Sequence, residues 1–254
     1  FYLFQLMCSN IVLCIPTSLK NRHDLAAALE NKYGAEYVFL GRIFRSTTNS
    51  NSCEMEIVQT GDRSPELRLS LAEEFELAGQ DKIPLATLQQ IRHCQQVVYL
   101  TSGNTEYNAC RQIASLAHAL LEVGGIAIKV DSAGLAHSRE TWLANYNSDD
   151  VFDIYSLYVV LAEGKDCYYS CGMHNFGKAD VAISLESDIG LAIYVMNVFN
   201  YYRLTESPIL QAGHTFRPDI ECPSYRLEWI ADHESPADSA QYNPHGRWHL
   251  TLSI

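Results

Sequence analysis

The stretch from Val97 to Val130 constrains this chain most. Val97-Val98-Tyr99-Leu100 is an apolar run of strand length. From Thr105 to Glu122, Ile113, Leu116, Leu120 and Leu121 recur on one side of a helix. Gly124-Gly125 stops that helix, and Ile126 to Val130 is apolar again. Strand, helix and strand in this order form a βαβ-type unit, in which a helix must cover a sheet to bury its apolar stripe.

The flanking sequence carries further short elements. Ile11 to Ile15 reads as a buried strand closed by Pro16, and Asn21 as the cap of a helix through Leu29 that Gly34 ends. Tyr37 to Leu40 reads as a strand, Ser46 to Ser52 as a polar loop, and Glu54 to Val58 as a half-buried strand. Ser64-Pro65-Glu66 opens a helix with Leu67, Leu71, Phe75 and Ala78 at helical spacing before Gly79. Leu85 to His93 and Ser138 to Leu143 are shorter helices, and Asn147 to Asp150 is a polar link. Ile154 to Ala162 is a long apolar run that turns at Glu163-Gly164-Lys165 and returns as Cys167 to Gly172, a hairpin signal. Val181 to Leu185 is a strand, Ile189 to Leu204 a strong helix, and Thr215-Phe216, Tyr225 to Ile230 and Trp248 to Leu252 short strands. The order predicts an α+β fold of two mixed α/β halves, residues 1–147 and 148–254, with short sheets flanked by helices.

Composition narrows the function classes. Of 254 residues, 47% are hydrophobic and 19% charged, which suits a packed protein. The formal net charge is −12. Such a surface repels nucleic acid and anionic lipid and attracts a basic protein partner, less so as salt rises. The eight cysteines include no CxxC pair and mostly sit among apolar neighbours, so they read as buried, reduced thiols in a cytoplasmic protein. The apolar N-terminal segment Phe1 to Met7 has no basic flank and falls short of the ~20 residues of a membrane span, so it reads as a packed segment.

Two polar clusters are the candidate catalytic positions. Cys171 and His174, with Asp180, combine a thiol, an imidazole and a carboxylate. Ser132 and His137 follow a strand's C-terminal end, where α/β sheets often place sites. Asp131 stands near where a GxSxG elbow needs glycine, so that motif is incomplete. Cys167 and Cys171, four apart on a strand, lie about 13 Å apart, too far to share one metal ion. Thr101 to Thr105 joins a strand to a helix with a single glycine and no phosphate-binding Lys. No HExxH, Walker A, GxGxxG or basic-aromatic patch occurs. No cofactor or metal is expected.

Several phrases read together: Gly124 to Val130 running into Ser132 to Trp142, Tyr169 to Asp180, Gly213-His214-Thr215-Phe216, and Asn243 to Trp248. In them the chain resembles the bacterial family known as domain of unknown function 4261. The resemblance spans the chain from Ile11 onward and implies a bacterial cytoplasmic protein, of a kind associated with accessory and immunity-like genes. That family carries no assigned activity, so it implies no catalytic residues. The polar and aromatic side chains of the phrases, Asn175, Asp180, His214 and Trp248, are the candidate binding residues. Two functions follow from the sequence. One is a binding protein, of immunity type, that neutralises a basic toxin or effector, with 15 Tyr and 3 Trp to supply contacts. The alternative is a hydrolase or thiol-dependent enzyme built on the Ser/Cys-His groups.

Overall fold

The computed structural model describes residues 10–60, 65–232, 235–236, 239 and 241–253. The expected helix cap Ser64 and the N-terminal segment Phe1 to Met7 lie outside them.

The first sheet has seven strands: β1 (Ile11–Thr17), β2 (Tyr37–Leu40), β3 (Ile43–Ser46), β4 (Ser52–Gln59), β5 (Gln96–Ser102), β6 (Ala127–Val130) and β7 (Leu135–Ser138). Their spatial order is β2-β3-β4-β5-β1-β6-β7 and every pairing is antiparallel. Helices cover both faces. Ile11, Leu13 and Ile15 point to α1 (Arg22–Tyr33), α4 (Tyr107–Glu122), α5 (Arg139–Asn145) and α6 (Val151–Tyr158). Cys14 points to the other side, where α2 (Pro65–Ala78) and α3 (Leu85–Arg92) supply Leu71, Phe75, Leu88 and Ile91. A strand sandwiched this way has no solvent face, so β1 is buried along its whole length and reads as continuous apolar sequence.

The second sheet is smaller and mixed. It contains β8 (Val160–Glu163), β9 (Cys167–Cys171), β10 (Asp180–Ser184), β11 (Thr215–Phe216), β12 (Tyr225–Ile230) and β13 (Arg247–Leu252), ordered β11-β12-β13-β10-β9-β8. Only β10 and β13 run parallel. The helix α7 (Ile189–Thr205) lies on one face, and Val195, Met196 and Phe199 meet Val181, Ile183, Leu227 and Leu250 there. The fold is thus mixed α+β, as expected.

Four local readings are corrected. Residues 154–158 belong to α6, because Asp150 accepts the Phe152 N–H at 2.8 Å and starts a helix buried at Ile154, Tyr155, Leu157 and Tyr158. An element buried on most sides loses the periodicity that separates helix from strand. Leu135–Ser138, to which the sequence assigns no strand, is β7: Gly134 takes the left-handed region (φ 64°) and reverses the chain onto β6. The helix α4 starts at Tyr107 rather than at Thr105, with Glu106 at its N-cap. Finally, β5 and β6 are not neighbours in the expected βαβ unit, because β1 sits between them and pairs with both.

Candidate functional site

The two halves meet at a 3-10 turn, Met173–Phe176, that leaves the second sheet and enters the first core. Phe176 stacks on Tyr107 with centroids 6.2 Å apart and meets Tyr158 edge-on at 5.8 Å. The Cys110 thiol donates to Asn175 O at 3.2 Å, and Asn175 Nδ2 donates to Tyr158 O at 3.3 Å. The Tyr158 hydroxyl donates to Cys110 O at 2.8 Å, closing the loop of contacts. The polypeptide passes so close here that a Cβ on Gly172 would lie 2.0 Å from Tyr158 O. The expected break at 147/148 falls between α5 and α6, both of which contribute to the first core.

Asp180 is the polar centre of this joint. Its Oδ1 accepts from Ser170 Oγ at 3.0 Å and Met173 N at 3.2 Å, and its Oδ2 accepts from Asn243 Nδ2 at 2.6 Å. Burial pushes its carboxyl up to about 6, against the lowering effect of these donors. Beside it, buried Arg203 donates to Ala179 O at 2.7 Å and to Asn200 Oδ1, with its guanidinium 4.6 Å from the Phe199 ring centroid. Burial draws Arg203 down to about 10. Asn200 Nδ2 in turn donates to Tyr155 Oη at 3.1 Å, and that hydroxyl donates to Asn197 Oδ1 at 3.0 Å. The network thereby ties α6, α7, β9, β10 and the 243 loop together.

The candidate catalytic residues fall in packed surroundings around this joint. The structure brings the Ser132 turn against the Gly172 turn: Ala133 Cβ would lie 3.0 Å from a Cβ placed on Gly172. The Ser132 side chain is buried, and its hydroxyl has no hydrogen-bond partner among the described residues. His137 Nε2 lies 3.0 Å from Leu157 O. A carbonyl only accepts, so that nitrogen carries the proton and is spent on the helix end. Burial lowers His137 to about 4, so its ring is neutral near pH 7. His174 is buried, and burial followed by the Asp180 charge raises the Cys171 thiol far above its usual range. A thiol attacks as thiolate, so Cys171 is held in its unreactive form.

The candidate binding residues separate into two places. Asn175 and Asp180 belong to the buried joint. Trp248 lies opposite Trp229 across β12 and β13, and His214 is exposed on the rim of a cleft beside α7. Two surface clefts, of about 720 and 520 Å³, are lined by other residues than Ser132, His137, Cys171 and His174. Among the described residues, no group of three His, Cys, Asp or Glu side chains gathers as a metal site. Among them, too, no helix is long and apolar enough to cross a membrane.

Sequence reasoning missed an exposed face on α2. Leu67 was expected in the core, yet Leu67, Leu69 and Leu77 are all exposed, Leu77 by 83%, and Leu85 at the start of α3 is exposed too. Glu66, Glu73 and Glu76 are exposed among them. The signal in the sequence was the excess of leucines in α2 over the single stripe of Leu71 and Phe75 that reaches the sheet.

No family model, curated protein or solved structure matches this chain.

Proposed function

We propose that the protein works by binding, and that it holds a basic protein partner on its acidic surface. The observation that carries this reading is the outer face of α2, where exposed leucines alternate with exposed glutamates. Leu69 and Leu77 offer apolar area to bury, and Glu66, Glu73 and Glu76 surround it with negative charge. A cationic amphipathic segment is the complement of such a face. The overall charge of −12 adds long-range attraction for the same partner. The burial of His174 and the raised Cys171 thiol support binding over thiol catalysis. The motif resemblance to the family of domain of unknown function 4261 supports a bacterial, cytoplasmic setting and an immunity-type role in neutralising a basic toxin.

Affinity capture from the source cells at low salt tests this, run in parallel with the wild-type chain and an E73K/E76K/L77S variant. The expected result is a basic protein retained by the wild type, lost on the variant, and released as salt rises. Capture of the same proteins by both chains overturns the reading.

A further inference from the structure

The cleft beside α7 has a different character from the α2 face. It encloses about 720 Å³ between the C-terminal half of α7, the 208–213 loop and the β11–β12 pair. Its wall is aromatic and fixed: Tyr202 stacks on Phe216 at 6.0 Å and 25°, and Phe216 meets the buried Phe199 edge-on at 4.9 Å. The Arg217 guanidinium and the His214 imidazole line it, and none of the described lining residues is acidic. Arg217 Nε donates to Cys222 O at 2.8 Å, which anchors the guanidinium. No described carboxylate forms an ion pair with it. The nearby Asp219 carboxylate is occupied by the Tyr194 hydroxyl at 2.8 Å and by the Glu221 and Cys222 N–H groups. His214 is held by its backbone, since its N–H donates to Gln211 O and its carbonyl accepts from Leu227 N at 2.8 Å. Its side chain is exposed.

We infer that this cleft binds a small organic anion with a flat apolar body, such as an aromatic carboxylate. In a chain with net charge −12, the Arg217 guanidinium offers a positive group to an anion in a cleft whose described lining carries no carboxylate. The fork of an arginine matches a carboxylate or sulfonate in two parallel bonds. The Tyr202–Phe216 pair supplies ring faces for stacking. The volume lies within the range of about 300–1,000 Å³ usual for small-molecule sites. This inference uses different residues from the α2 face and does not depend on it.

The aromatic sulfonate 8-anilinonaphthalene-1-sulfonate is the probe, with uncharged N-phenyl-1-naphthylamine as its neutral counterpart. Fluorescence titration of the folded chain is expected to show saturable binding of the sulfonate and about tenfold weaker binding of the neutral compound. R217Q and H214Q are each expected to weaken the sulfonate several-fold and together by more than about tenfold. Y202A is expected to weaken both compounds. The exposed L77S change on α2 is expected to leave both titrations unchanged. R217Q and H214Q both replace exposed side chains, and circular dichroism checks that they fold. Failure of the sulfonate to bind overturns the inference. So does equal binding of the two compounds, binding indifferent to R217Q and H214Q, or binding lost in L77S instead.

Discussion

Asn243 Nδ2 lies 2.6 Å from Asp180 Oδ2, so a loop far along the chain closes over a carboxyl buried at the joint of the two sheets. Asn243 Nδ2 also reaches Lys178 O at 3.1 Å, and its Oδ1 accepts from His245 N at 2.9 Å. Its amide is therefore fixed in orientation and offers Asp180 only a donor.

That arrangement predicts a specific pH dependence. Burial raises Asp180 from an ordinary 3.8 to about 6, so the folded state holds the proton more tightly than the unfolded chain. The stability this contributes is fully present below about pH 4 and is lost as pH rises through about 6, by about 3 kcal/mol in all. In D180N the side-chain amide meets the Asn243 donor, costing about 1–3 kcal/mol, and the titration disappears. Urea unfolding at steps between pH 4 and 7 should show the gap between wild type and D180N shrinking as pH rises. A gap that stays constant across that window would mean that Asp180 does not titrate there.

Thiol chemistry gives a second expectation. Burial raises Cys14, Cys53, Cys94, Cys110 and Cys171 above their ordinary thiol range. In the native protein at pH 8, iodoacetamide should leave Cys171 unmodified on the timescale that fully alkylates it in urea. Peptide mass mapping reads this directly. Rapid native alkylation of Cys171 would restore the thiol-enzyme reading.

Elements with a one-sided environment were legible in the sequence. The Asn21 cap, the Ser138 cap and the body of α4 appear where local chemistry put them, because each depends on neighbours within a turn or on a clear apolar stripe. The Glu163-Gly164-Lys165 turn is likewise local. The run at 154–158 was misread because a helix wedged between α4 and α7 is apolar on most sides and resembles a buried strand. The candidate site was legible only as residue types. Whether the turn that carries His174 and Asn175 enters a cleft or a core depends on Tyr158 and Cys110, residues that it reaches only in three dimensions. The Arg217–His214 cleft was half visible, since His214 stood out in its motif and its aromatic wall on α7 did not.

Gly172 and Gly41 separate crowding from backbone conformation. Both take positive φ, 117° and 63°. A Cβ on Gly41 meets nothing within 4 Å, whereas on Gly172 it would overlap Tyr158 O at 2.0 Å. G41A is expected to cost about 1 kcal/mol, the usual strain of a left-handed residue. G172A should cost well over 3 kcal/mol or prevent folding, because the carbonyl it strikes is backbone. Thermal denaturation of the two variants side by side measures the difference, and similar losses would mean that the joint is looser than described.

The last expectation concerns the first sheet. Cys14 pairs in register with Tyr99 on one side and Lys129 on the other, which sets a polar row beneath α2. Lys129 forms ion pairs with Glu74 and, at 3.0 Å, with Asp131, and its side chain is only 13% exposed. Its carboxylate neighbours raise it above the usual lysine range in spite of burial. Asp131 is itself raised by burial, which Lys129 partly offsets. The charge on Lys129 therefore has to be present for Asp131 to stay ionised cheaply. K129M should cost about 2–4 kcal/mol by stranding a mostly buried carboxylate, and D131N alone should cost less. With Asp131 already neutral, K129M leaves no stranded carboxylate at that position, so the double variant should be more stable than the sum of the single losses by about 1–2 kcal/mol. A chemical-denaturation double-mutant cycle yields that coupling. A coupling near zero would mean that Lys129 and Asp131 act as independent charges rather than as a pair.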